Sequence, residues 1–254
     1  MRQAEDAPEL NAILASQPAL AAIAAQVDHF LGSRHRVRFL HQEGYGRFSL
    51  LNTQAVLGPG GKAASWVNLE KPAWDKDRFA DRCAGCHTTA VDPKTRQFSA
   101  FGLDCYVCHG VVSLDHSKDT GMIWLSKKHT NDPRSVTSIC AQCHLRMGHS
   151  KSTGLPYADN FIVSDNLFQD YVVDFTKAGD AGLNAGDRHV IENVRDVALN
   201  GGTTTCLSCH RIHEQSTSKH RLVLTGRICL DCHNETGPKK AVKAYTVRSE
   251  ICEY

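Results

Sequence analysis

CAGCHTTAVDPKTRQFSAFGLDCYVCHG, residues 83–110, begins and ends with the same five-residue motif, C-x-x-C-H. The motif occurs three more times, as CAQCH at 140–144, CLSCH at 206–210 and CLDCH at 229–233. Ten of the eleven cysteines therefore belong to five copies, numbered here motifs 1 to 5 in chain order, and Cys252 is the exception.

The composition limits the classes of protein to which this chain can belong. Its 254 residues are 41% hydrophobic but only 7% aromatic, so a large self-sufficient core is not expected. A formal net charge of +2 argues against a nucleic-acid binder that relies on basic patches. Ser16, Gln17 and Pro18 interrupt the most apolar stretch, 12–25, and acidic residues precede it. We interpret it as a helix of a soluble protein, neither a membrane span nor a secretory signal, so an exported protein would carry its signal peptide outside this sequence.

Three chemistries use the pair C-x-x-C, namely zinc binding, disulfide chemistry (structural or redox-active) and haem attachment. Half of a zinc site needs no histidine directly after the second cysteine, and a thioredoxin-like redox pair would occur once. Disulfides require neither the regular spacing nor the histidine. Attachment of haem c explains every position, because the two thiols add to the haem vinyl groups and the histidine becomes the proximal iron ligand. The sequence therefore predicts five covalently bound haem c groups and their iron.

The predicted attachment residues are the cysteines and the terminal histidine of each motif. The cysteines are Cys83, Cys86, Cys105, Cys108, Cys140, Cys143, Cys206, Cys209, Cys229 and Cys232. The proximal histidines are His87, His109, His144, His210 and His233. Cys252 is interpreted as a thiol, with an intersubunit disulfide as the alternative.

Nine further histidines are candidates for the sixth iron ligand, and the alternative for each is an ordinary surface or core histidine. His116 and His213 are favoured because they follow a motif histidine by seven and three residues. The other candidates are His129 and His189, then His29 for the fifth position, with His41 and His149 as alternatives to it. Three methionines are too few to serve five irons.

Local patterns predict the secondary structure outside the motifs. Residues 1–75 predict a helix that starts at Pro18 and ends by Gly32, followed by a β-hairpin over 36–57 with its turn at 43–46. ASWVNLE, 64–70, predicts a third strand. Asp132 and Pro133 predict the start of a short helix that presents motif 3.

The spacings between the first cysteines of successive motifs are 22, 35, 66 and 23 residues, which indicates two close pairs on either side of motif 3. We divide the chain into a non-haem region, 1–75, a three-haem segment, 76–160, and an insert with a two-haem segment, 161–254, all within one compact unit. The expected fold is that of a multihaem cytochrome c. Mainly short α-helices and irregular segments would wrap around closely packed haems, with a small N-terminal helix and β-hairpin.

WVNLEKPAWDKDRFADRCAGCHTTA, GLDCYVCHG and the closing CLSCHRIH…ICLDCH resemble the multihaem cytochromes c. More narrowly, they are similar to the lineage of cytochrome c-554 and the pentahaem nitrite reductases, and to doubled-CXXCH modules. The resemblance implies an electron path through mostly bis-histidine haems, with His116 and His213 as distal ligands. Those reductases carry a lysine in place of the motif histidine at the catalytic haem, whereas all five motifs here end in histidine.

The expected function is electron transfer through five haems, in a periplasm or outside the cell, with other redox proteins as partners. The alternative is a subunit of an extracellular cytochrome filament or of a larger redox complex, with identical subunits as partners. A reductase of small oxyanions is the third hypothesis, and the surplus of histidines argues against the open iron that such an enzyme needs.

Overall fold

The structure is a computed structural model that describes residues 1–32, 35–92, 94–112, 118–119, 121, 123–126, 132–210 and 212. Its contacts define two compact units. The first contains Met1–Val107 and His149–Asn160, and the second contains Cys108–Gly148 and the described residues from Phe161 onward. Motif 1 belongs to the first unit, and motifs 3 and 4 belong to the second. The three-part division drawn from motif spacing remains a prediction.

The N-terminal helical region is shorter than the sequence predicts. It comprises strand β1 (Arg2–Gln3), helix α1 (Pro8–Ala15), a 3₁₀ turn (Pro18–Leu20) and helix α2 (Ala21–Ala24). Pro18 starts its turn as predicted, because its missing N–H costs nothing at that position. The prediction of a helix as far as Gly32 is wrong, since strand β2 (His29–Leu31) pairs with the next strand, His29 opposite Leu40. Backbone pairing in the sheet outweighs the helical spacing of the apolar residues.

A six-stranded antiparallel sheet forms the centre of the first unit. The predicted hairpin is confirmed as β3 (Arg36–Gly44) and β4 (Arg47–Leu57), and the predicted third strand is confirmed as β5 (Ala63–Val67). The strand order is β1-β2-β3-β4-β5, and β6 (Trp74–Asp75) pairs with β4. The sheet is therefore larger than the hairpin region expected from the sequence.

Apolar clusters cover both faces of this sheet. Successive strand residues point to opposite sides, so neighbours along a strand belong to different clusters. Leu51 belongs to the cluster that packs against α1 and α2, and its neighbour Leu50 belongs to a second cluster on the other face. The second cluster also contains Phe79 and Ala84, and Cys83 packs against it. Motif 1 thus packs directly against one face of the sheet.

A short hairpin links motif 1 to motif 2. Motif 1 spans a π-helical turn (Ala80–Ala84) and α3 (Gly85–His87), and β7 (Thr88–Val91) follows directly. β8 (Phe98–Phe101) pairs with β7 and leads to α4 (Tyr106–His109), which carries motif 2.

The longer helices lie in the second unit. They are α5 (Pro133–His144) and α6 (Ala185–Asn200), which pack against each other. Asp132 caps α5 as predicted, since its side chain accepts a hydrogen bond of 2.8 Å from the Ser135 N–H. The stretch between them contains β9 (Gly148–Ser150), a 3₁₀ turn (Leu167–Gln169), β10 (Tyr171–Val173) and a second 3₁₀ turn (Phe175–Gly179).

α6 ends at Gly201, which has a φ of +71°, and a last 3₁₀ turn covers Cys206–Ser208. Within the part of the chain described, no helix combines the length and apolarity needed to cross a membrane.

Candidate haem sites

Motif 1 places its three attachment residues within one stretch of helix. Cys83 is the fourth residue of the π-helical turn, and Cys86 and His87 follow in α3. Burial raises the pKa of the Cys83 thiol, and the guanidinium groups of Arg38 and Arg78 oppose that rise. Both thiols are half-buried.

The helical turn of motif 1 depends on a glycine. A Cβ at Gly85 would lie 2.0 Å from Cδ2 of Tyr157, closer than any real contact. Tyr157 is 3% exposed, and its hydroxyl donates a hydrogen bond of 2.5 Å to the carbonyl of Ala80. Its ring therefore lies directly against the backbone at Gly85, and burial raises the pKa of its hydroxyl.

An open cavity of about 590 Å³ lies beside Cys83. Its lining is charged and contains equal numbers of basic and acidic side chains. These are Arg38, Arg78, Arg82, Asp75, Asp77 and Asp81.

Motif 2 fixes the tautomer of its histidine. Nδ1 of His109 lies 2.6 Å from the carbonyl oxygen of Trp124. A carbonyl oxygen only accepts, so Nδ1 carries the proton and the lone pair is on Nε2. Metal-ligating histidines are oriented in this way by a partner on the other ring nitrogen. His109 is thus prepared to bind a metal through Nε2.

The surface around motif 2 is apolar. Cys105 is exposed. Phe101, Leu103 and Tyr106, which flank it in the first unit, are 44%, 50% and 47% exposed. A flat apolar group attached to Cys105 would cover side chains of this kind.

Motif 3 occupies the last turn and a half of α5. Cys140 and Cys143 are three residues apart and Cys140 and His144 are four apart, so the three side chains are neighbours on the helix surface. The preceding residues Val136 and Ile139 are buried, which anchors the helix.

Motif 4 is presented by the 3₁₀ turn at Cys206–Ser208. Thr205 and Ser208 form a capping box at its start, and the His210 N–H bonds to the Cys206 carbonyl at 2.9 Å. The turn brings Cys206 close to Cys209 and His210.

Cysteines of motifs 3 and 4 are in contact in the second unit. The thiols of Cys140 and Cys206 form a hydrogen bond, and Cys108 of motif 2 is near enough to act electrostatically on Cys140. This hydrogen bond raises the pKa of Cys140 and lowers the pKa of Cys206. Burial adds to the rise at Cys140.

The residues present fit haem c better than the other two chemistries. The eight cysteines of motifs 1 to 4 are thiols, as thioether formation requires. Among the described residues, no three histidine, cysteine or acidic side chains come together as a metal site, so these motifs do not form the closed donor set of structural zinc. The orientation of His109 adds a ligand prepared for iron.

His29 is the most unusual of the candidate distal ligands. It is 6% exposed, and neither ring nitrogen has a hydrogen-bond partner among the described residues. The centroid of its ring lies 4.5 Å from that of Phe101, with the two rings stacked, and 5.1 Å from that of Phe48, with the two rings nearly perpendicular. Burial lowers its pKa, with Asp28 opposing. An unsatisfied buried imidazole costs about 1–3 kcal/mol, so a partner for it is expected.

His189, on α6, lies near the motif 4 histidine. Burial lowers the pKa of His189 and the nearby His210 lowers it further, although the residue as a whole is exposed. The Asn193 side chain lies 3.2 Å from Nδ1 of His189 and donates to its carbonyl oxygen at 2.8 Å.

The other candidate residues lie outside the described part of the chain or have another environment. Outside it are His116, His129, His213, Cys252 and all of motif 5, with Cys229, Cys232 and His233. His41 is held by Asp28 at 2.9 Å and by the Gln26 carbonyl at 2.8 Å, and it lies beside Trp74. Reasoning from sequence missed these supports, as it missed Tyr157 and the Trp124 carbonyl, because their partners lie 13 to 77 residues away.

Neither protein-family models nor curated proteins match this sequence. Among solved structures, the chain is similar to an undecahaem cytochrome from the S-layer of Carboxydothermus ferrireducens, with a TM-score of 0.44 and 16% identity. The similarity covers 85% of this chain and 36% of that chain, so this chain spans about a third of that protein's length. The resemblance to the cytochrome c-554 and nitrite reductase lineage remains a prediction.

Proposed function

We propose that this chain is a pentahaem cytochrome c that transfers electrons along its covalently bound haems. The observation that carries the proposal is the local geometry of motifs 1, 3 and 4. Motifs 1 and 3 place two thiols and one imidazole on neighbouring positions of a helical stretch, and in motif 4 the Cys209 and His210 N–H groups both bond to the Cys206 carbonyl. Motif 5 has the same sequence pattern and completes the proposed set of five.

The chain's own residues would bind and orient the haems. Bound haem supplies an iron that cycles between ferric and ferrous states and so accepts and releases one electron. The cysteines would fix the plane of each haem at two points, and the motif histidines would bind the irons. The hydrogen bond from His109 to Trp124 would keep that ring in position.

We further propose His29 and His189 as distal ligands of two of the haems. His29 packs on Phe48, which shares its cluster with Ala84 and Cys83, and we assign it to the haem of motif 1. His189 lies near His210, and we assign it to the haem of motif 4. Two histidines would close both axial positions of an iron and leave no site for a substrate. Such ligation at these two haems would favour electron transfer over catalysis.

The partners are proposed to be other redox proteins. The apolar surface of Phe101, Leu103 and Tyr106 beside the exposed Cys105 supports this, because a haem attached there would have an edge at the protein surface. Haem c is attached outside the cytoplasm, which places the protein in a periplasm or outside the cell. A filament of identical subunits is the alternative, and growth of the oligomer with protein concentration would favour it.

The test is the haem content of the protein produced with a haem-attachment system and an export signal. Intact mass should exceed the polypeptide mass by five haems that acid extraction does not remove. The variant with both Cys140→Ala and Cys143→Ala should carry four, and the matched control Cys252→Ala should carry five. Four or fewer haems in the unaltered protein, or zinc in place of haem, would refute the proposal.

A further inference from the structure

The contact between Cys140 and Cys206 joins two motifs that the sequence keeps far apart. Sixty-six residues separate these cysteines, the longest interval between successive motifs. Spacing alone pairs motif 1 with motif 2 and motif 4 with motif 5, and it leaves motif 3 isolated. The structure instead places a thiol of motif 3 in hydrogen-bond contact with a thiol of motif 4.

The fold of the second unit accounts for this contact. α6 packs against α5 through its buried residues Ile191, Val194 and Val197. At the end of α6, the Ala198 carbonyl accepts a hydrogen bond of 2.8 Å from the guanidinium of Arg134 at the start of α5. The chain then turns at Gly201, and the 3₁₀ turn of motif 4 packs against α5.

The insert before α6 is also fixed to α5. The Leu167 N–H donates to the Ser138 hydroxyl at 3.2 Å, and the Tyr171 hydroxyl donates to the Leu145 carbonyl at 2.9 Å. Ser138 is fully buried, and Tyr171 is 2% exposed. The approach of motif 4 to motif 3 therefore rests on a packed set of contacts and not on the two thiols alone.

We propose that motifs 3 and 4 form a junction in the electron path, with the haem of motif 3 in direct contact with the haem of motif 4. The inference rests on the proposed function, because it concerns the order of the proposed haems. Each thiol becomes the sulfur of a thioether at the edge of its own haem. Sulfurs in contact therefore bring two haem edges together.

The physical consequence would be fast electron exchange between the haems of motifs 3 and 4. Electron tunnelling weakens steeply with the distance between haem edges, so exchange between the haems of motifs 3 and 4 would be faster than the long sequence interval suggests. Each step moves one electron from a ferrous to a ferric iron and needs no proton.

The experiment is nuclear magnetic resonance of the fully reduced, diamagnetic five-haem protein labelled with ¹³C at cysteine Cβ. The inference predicts a nuclear Overhauser cross-peak between the β protons of Cys140 and Cys206. Cys140→Ala and Cys206→Ala identify the peak by removing it, and each variant keeps its haem through the second cysteine and the motif histidine. Cys83→Ala, in the other compact unit, is the matched control and should leave the peak unchanged.

The outcomes separate this inference from the proposed function. Five haems by intact mass with no cross-peak between Cys140 and Cys206 would overturn the junction and leave electron transfer intact. A Cys140–Cys206 disulfide, detected as a cross-linked peptide that a thiol reductant releases, would also overturn it. If the single-cysteine variants fail to fold, the cross-peak in the unaltered protein still decides, with Cys143→Ala and Cys209→Ala as alternative means of assignment.

Discussion

Replacement of Gly85 by alanine tests how tightly motif 1 is packed. The new Cβ would lie 2.0, 2.2 and 2.6 Å from three ring carbons of Tyr157, whereas ordinary contact begins at 3.4 Å. Tyr157 has little room to retreat, because it is 3% exposed and its hydroxyl is bonded to the Ala80 carbonyl. Either the ring or the helical turn of the motif must move.

The net cost can be worked out from opposing effects. Overpacking of a filled site costs about 1–3 kcal/mol, and loss of the hydroxyl hydrogen bond adds about 1 kcal/mol. Alanine has a higher helix propensity than glycine, which stabilises the turn by about 1 kcal/mol and opposes these losses. The expected decrease in the free energy of unfolding is therefore about 1–3 kcal/mol, which corresponds to roughly 2–12 °C in Tm for a chain of this size.

The assay is denaturant unfolding of the five-haem protein followed by far-ultraviolet circular dichroism, with intact mass to verify haem content. Gly179→Ala is the matched control, since Gly179 ends a 3₁₀ turn, has an ordinary φ and has nothing within 4 Å of an added Cβ. Tyr157→Leu should relieve part of the loss when combined with Gly85→Ala. If Gly85→Ala unfolds at the same denaturant concentration as Gly179→Ala, the contact between Tyr157 and the motif is refuted.

Three further predictions concern a helix cap, a distal ligand and catalysis. Asp132→Ala should destabilise the protein by about 1 kcal/mol at pH 7, and Asp132→Asn much less. Hydrogen bonds from Ser135 lower the pKa of Asp132. The difference in unfolding free energy between the unaltered protein and Asp132→Ala should therefore shrink as the pH falls below 3.8. An increase in that difference would contradict the cap. His29→Phe should turn one haem of five high-spin in electron paramagnetic resonance, whereas a histidine that only packs between Phe48 and Phe101 would leave all five low-spin. Reduced viologen should reduce the protein quickly without sustained turnover of nitrite, and nitrite-dependent oxidation that is lost in a single proximal-histidine variant would favour the reductase.

Local chemistry was readable from the sequence because each motif is complete within five residues. The spacing of Cys140, Cys143 and His144 predicts its own helical turn, and Asp132 with Pro133 predicts where that helix starts. The alternation in residues 36–57 likewise predicts the hairpin, since the pattern of period two lies within the two strands. Haem attachment is inferred at the same local level and does not depend on the fold.

The helix prediction for residues 18–32 was wrong from about residue 25 onward because its outcome depended on a distant strand. The apolar spacing of Val27 and Phe30 fits a helix, but β3 offers backbone partners that this pattern does not reveal. The same strand pairing buries His29 and separates it from a surface histidine such as His41. The sequence offered both as candidates for the same fifth position.

The tertiary structure alone decides which motifs are neighbours. Sequence intervals describe the length of chain between Cys140 and Cys206, but packing of α6 on α5 brings the two thiols into contact. In the same way, Tyr157 reaches Gly85 and the Trp124 carbonyl reaches His109 across intervals that no local pattern encodes. By itself the sequence determined which residues are predicted to attach haem, because each C-x-x-C-H motif is complete within five residues. The order of the motifs in space and the groups that orient them depend on long-range packing. That packing is the sum of many contacts, and no single sequence position encodes it.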